Sequence, residues 1–128
     1  AGHSNAEDIL EPVTALIGLG PGLTPSGDDF LGGTMIALSI LGEKEKLRCL
    51  ENVVGEAGSA TNDISRAHLK AAAQGIGAEP LHATIGAIIS NQDQPLRDSL
   101  ERLGAIGHCS GWDALTGVVI TLRAWLAE

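Results

Sequence analysis

Apolar residues recur along this chain at spacings of three and four, in short stretches divided by glycine and proline. That period belongs to amphipathic helices, and no stretch of Val, Ile or Thr alternates with polar residues as a strand would. The pattern predicts helices over residues 7–17, 28–41, 43–56, 63–74, 80–90, 95–103 and 112–127. Acidic residues fall in the first turn of the first helix, with Pro12 as the alternative start of a shorter one. Ser26 stands as the N-cap of the second, with Asp29 three residues on as the partner of a capping box. Gly42 ends that helix, Pro80 opens the fifth, and Asp93 caps the sixth ahead of Pro95. The expectation is an all-α fold of about seven helices in one domain over residues 1–128.

Two loops are rich in glycine. In residues 18–27, Gly18, Gly20, Gly22 and Gly27 with Pro21 and Pro25 forbid regular structure. The second loop is residues 104–111, and both end alike. Residues 26–38 and 110–122, an offset of 84, share seven identities in thirteen positions, among them Ser26/Ser110, Gly27/Gly111, Asp29/Asp113 and Gly33/Gly117. Two capped amphipathic helices would resemble each other for that reason alone, with Gly33 and Gly117 merely permitting close helix contact. The sharper expectation is a pseudo-twofold pair of helices whose N-termini face one site, each offering backbone N–H groups, a hydroxyl and a carboxylate.

Composition supports helices: 128 residues with 44% hydrophobic, yet only two Trp, one Phe and no Tyr, leave a core of Leu, Ile, Val and Ala. A net charge of −8 argues against nucleic acid and against an anionic membrane surface. The longest apolar run, residues 30–41, is too short to span a bilayer. Cys49 and Cys109 form no CxxC and no disulfide framework, which points to a reducing, cytoplasmic setting.

A glycine-rich loop entering a helix suggests an anion, but this is not a Walker loop: it lacks the Gly-Lys-Ser/Thr ending, and before residue 42 the only basic side chain is His3. Asp28 and Asp29 would repel a bare anion. Either Mg²⁺ bridges them to it, or their oxygens accept from a substrate amide or carbamoyl N–H, or both merely charge the helix start. Arg66 is a candidate clamp for a carboxylate or phosphate, with a surface pair to Asp63 as the alternative. His108 is a candidate base or anion contact in the second loop. A His108–Cys109 nucleophile pair has no support, and His68 and His82 read as packing or surface residues.

The stretch GLGPGLTPSGDDFLGG, residues 18–33, resembles the signature of a bacterial family long labelled a domain of unknown function, which includes the helical subunit of the multi-subunit oxamate carbamoyltransferase of anaerobic allantoin breakdown. Residues 64–75 with 79–81, and residues 107–117, are also similar to it. Cys109 departs from the small hydroxyl residue expected there. The resemblance implies a helical C-terminal domain of a longer protein, partner subunits, and a reaction joining oxalurate and phosphate to give oxamate and carbamoyl phosphate. The family supplies no catalytic residues. From motif position alone, Asp28, Asp29, Asp113 and His108 are the catalytic candidates, and Thr24, Ser26, Gly27, Arg66, Ser110 and Gly111 those for a small anionic or carbamoylated metabolite. Asp28 and Asp29 would hold Mg²⁺ if it is used. The alternative is a non-catalytic structural or regulatory subunit whose loop is a protein interface; a metal-dependent hydrolase would need three convergent ligands.

Overall fold

The computed structural model describes residues 6–107 and 109–128. Among them the chain forms seven α-helices and no strand: α1 Ala6–Leu16, α2 Ser26–Ile40, α3 Lys44–Ala57, α4 Asp63–Ala73, α5 Glu79–Ile89, α6 Asp93–Gly104 and α7 Ser110–Ala127, with a 3₁₀ turn at Gly58–Ala60. The all-α expectation holds. Pro12 lies inside α1 and does not start it.

The capping expectations need correction. Ser26 is the first helical residue of α2 and Pro25 takes the cap position, where no side-chain cap bond is made. A residue already inside the helix cannot turn its oxygen back onto the free N–H groups, so the Ser26–Asp29 capping box does not form. Asp93 is likewise inside α6, behind Gln92. Asn62 does cap: its Oδ1 accepts from the Ser65 N–H at 2.8 Å, and its Nδ2 donates to the Leu23 carbonyl at 3.0 Å. One side chain therefore starts α4 and pins the first loop to it.

Helix α2 is the hub, touching α1, α3, α4 and α7. Met35 and Ala37 on α2 and Val118 on α7 are wholly buried, with Val53, Ile85 and Leu103 nearly so. The α5–α6 pair joins this core through α7, and a buried Thr84–Ser99 hydroxyl bond of 3.0 Å ties the pair together.

Helices α2 and α7 cross backbone to backbone. A Cβ on Gly33 would lie 2.0 Å from the Ala114 carbonyl oxygen, and one on Gly117 would lie 2.1 Å from that of Phe30. Only glycine lets the two backbones meet so closely. Each contact is the image of the other under the offset of 84 residues. The likeness extends to the helix starts, where Gly27 meets the Leu16 carbonyl and Gly111 that of Leu103. Neither Ser26 nor Ser110 makes a cap bond, so of the simpler reading the shared capping fails while the close glycine contact holds. At this contact the two helices cross as local pseudo-twofold partners.

Candidate functional site

The crossing brings the first turns of α2 and α7 to one cavity of about 550 Å³, closed on a third side by α4. Asp28 and Asp29 reach it from α2, Ser65 and His68 from α4, and Ser110 and Gly111 from α7, with Thr24 from the first loop. Much of the remaining wall is apolar, including Ile36, Leu69, Leu81 and Leu103. The Thr24 and Ser110 hydroxyls bond each other at 3.0 Å and so join the two glycine-rich loops.

The adjacent aspartates do different work. Asp28 is 2% exposed. Its Oδ1 accepts from the Gly18 N–H at 2.7 Å, and its Oδ2 accepts from the Thr61 and Ser65 hydroxyls. It thereby knots the loop, the turn before α4, and α4 itself. Gly18 has φ +78°, and a Cβ there would strike the Ala60 carbonyl at 2.2 Å. The loop thus lies directly on the segment that Asp28 holds.

Asp29, one residue on, has a buried Oδ2 with no hydrogen-bond partner. Its carboxyl is pushed up to about 6 from an ordinary value of 3.8. Burial is the main cause; the Asp113 and Asp28 charges add to it, while the nearby Ser110 hydroxyl and His68 oppose it. Asp29 lines the cavity, and a buried carboxylate oxygen without a donor is costly until one is supplied.

Of the sequence candidates, Thr24, Asp28, Asp29, Ser110 and Gly111 line the cavity. Asp113 is not in the wall but is near enough to disfavour the Asp29 charge. Ser26 is exposed and outside it. Gly27 is packed on the Leu16 carbonyl, and its N–H is already donated to Leu19 at 3.0 Å. Arg66 points elsewhere: its guanidinium bonds the Gly58 and Thr61 carbonyls at 2.7 Å each and pairs with Asp63. His108 lies outside the described residues. His68 is exposed, as a surface residue was expected to be, and it also lines the cavity, where with Ser65, Leu69 and Ala72 it forms a three–four spaced stripe on α4.

The donor set does not suit the bridging Mg²⁺. Both oxygens of Asp28 already serve internal donors, which leaves a cation one carboxylate instead of two. Among the described residues no three His, Cys, Asp or Glu side chains gather as a metal-ligand cluster. Cys49 and Cys109 are both free thiols. No helix among the described residues is long and apolar enough to cross a membrane.

Fold and site together define an all-helical domain with a small-molecule-sized cavity where two pseudo-equivalent helix starts converge. The chain matches the family of the oxamate carbamoyltransferase subunit AllH over residues 16–122, and it belongs to that family. No solved structure matches it.

Proposed function

We propose that this chain is a working subunit of a carbamoyltransferase and binds a small carbamoylated metabolite in the cavity between α2, α4 and α7. The observation that carries the reading is the unpartnered, buried Oδ2 of Asp29 at the meeting of the two helix starts. A carbamoyl or oxamate-type amide presents N–H donors, and a carboxylate accepts them. The Thr24 and Ser110 hydroxyls, now bonded to each other, can turn to a substrate carbonyl.

In the reaction the family name implies, a phosphate oxygen attacks the carbamoyl carbon of oxalurate. The C–N bond to the oxamate half breaks, and the departing nitrogen takes a proton. A carboxyl held near 6 is suited to giving and recovering that proton around neutrality. Asp29 holds that role in this proposal, with His68 beside it and Asp113 tuning its charge; Asp28 positions the loop. The same reading places the chain in cytoplasmic purine breakdown at the level of allantoin.

The test is a thermal-shift titration with oxamate, oxalurate and carbamoyl phosphate, on this chain alone and assembled with the other subunits. A ligand at a hundred times its Kd adds roughly 2.7 kcal/mol of stability. The expected result is a saturable shift that Asp29→Asn abolishes while staying folded. No shift in either preparation, or an unchanged shift in Asp29→Asn, overturns the reading. A second reading, a non-catalytic subunit docking through its glycine-rich loop, draws on Leu19 and Leu23, which stand 56% and 64% exposed there.

A further inference from the structure

We propose that the cavity is one half of a composite site: a basic partner subunit docks over its mouth and lays an arginine or lysine side chain against Asp29, completing the anion subsite. This rests on the reading of the cavity as a carbamoyl-metabolite site. Oxalurate, oxamate and carbamoyl phosphate are all anions, yet none of the eight Lys and Arg residues of this chain lines the cavity. The two on α4 face away: Arg66 is tied to Gly58, Thr61 and Asp63, and Lys70 lines a separate groove beside Glu51. At the start of helix α2 the Gly27 N–H is spent on Leu19 and the Asp29 N–H on Pro25, which leaves fewer backbone donors for an anion. What faces a ligand is the Asp29 carboxyl, one of whose oxygens has no partner, with Asp28 and Asp113 close to it. His68, exposed on α4, is near enough to favour the Asp29 charge, yet the Asp29 carboxyl stays raised.

An anion entering this space alone would meet charge of its own sign. A guanidinium or ammonium from outside would pair with Asp29 and face the substrate's carboxylate or phosphate at the same time. The mouth is built for contact. Ile76, a lining residue, is 58% exposed, and Leu23, beside the lining Thr24, is 64% exposed and anchored through its carbonyl by Asn62. Charge complementarity selects the occupant, since a second copy of this chain would bring another net −8.

The experiment uses the enzyme assembled from this chain and the other oxamate carbamoyltransferase subunits. A photo-crosslinking phenylalanine derivative replaces Leu23 at the mouth, and in a separate preparation Ile120 on the exposed side of α7, and cross-linked peptides are mapped. The expected result is a cross-link from position 23 to a partner peptide containing Arg or Lys. Changing that residue to Gln should raise KM for oxalurate or phosphate at least tenfold while the subunits still co-elute. The Asp29 carboxyl, followed by carbon NMR, should titrate lower in the assembly than in the free chain. No cross-link from position 23, or a KM within twofold after the partner substitution, overturns the composite site. If Asp29→Asn keeps full turnover, the cavity reading falls and the composite site with it; if Asp29→Asn is inactive and position 23 gives no cross-link, only the composite site falls.

Discussion

Replacing Gly117 by alanine tests the geometry on which the site depends. The new Cβ would stand 2.1 Å from the Phe30 carbonyl oxygen, where ordinary contact begins at 3.4 Å, so the helices must part by roughly 1 Å or more. The listener on the other side is backbone, which cannot swing away as a side chain would. Overpacking of this kind costs about 1–3 kcal/mol and here falls at the upper end, because parting the crossing also loosens Met35 and Val118. Alanine returns about 1 kcal/mol of helix propensity. The net expectation is a loss of about 2 kcal/mol, or a Tm drop of roughly 8 °C at about 4 °C per kcal/mol. Gly55 in α3 and Gly86 in α5 are the controls: a Cβ on either meets nothing within 4 Å, so the same substitution should stabilise by up to about 1 kcal/mol. Gly33→Ala should resemble Gly117→Ala, and the double variant should cost less than the two added, since both open one crossing. Urea denaturation of the five variants decides. If Gly117→Ala is as stable as Gly55→Ala, the close crossing is not what positions the site.

Three further outcomes are expected. Asp28→Ala strands the Gly18 N–H and the Thr61 and Ser65 hydroxyls and should cost about 3–5 kcal/mol in a denaturation curve, with a smaller loss for Asp28→Asn, which keeps one acceptor. Asp29 behaves oppositely: its folded value of about 6 exceeds the ordinary 3.8, so the folded chain binds the extra proton between these limits. Stability should therefore fall as pH rises through that window and stay lower above it, by about 1–2 kcal/mol after allowing for solvent screening. Asp29→Asn should flatten that profile and raise stability at pH 7–8, and a Tm series across pH 4–8 showing no difference from the parent would refute the burial of its charge. Asn62→Ala should cost about 1 kcal/mol by loss of the cap and speed amide exchange in the first loop, read by mass spectrometry.

Much of the fold was legible because glycine and proline punctuate the apolar period almost at the helix ends. The repeat between residues 26–38 and 110–122 also announced the crossing, through Gly33 and Gly117. What sequence hides is direction. Asp28 and Asp29 are neighbours and read alike, but successive helical residues point about 100° apart. One carboxylate therefore meets α4 and the loop while the other meets the cavity. His68 is exposed as expected, but that it also lines the cavity depends on how α4 lies against α2, which no local pattern encodes. Arg66 took the alternative the sequence offered, the pair with Asp63, and carbonyls of the preceding turn hold it there as well.

The Thr24–Ser110 bond joins points 86 residues apart. During synthesis, α1 through α4 can emerge and pair locally while the wall that α7 provides does not yet exist. Closing so long a loop is slow in entropy and comes late. A chain truncated before α7 therefore carries the signature loop but lacks the wall of the cavity that Ser110, Gly111 and Ala114 provide.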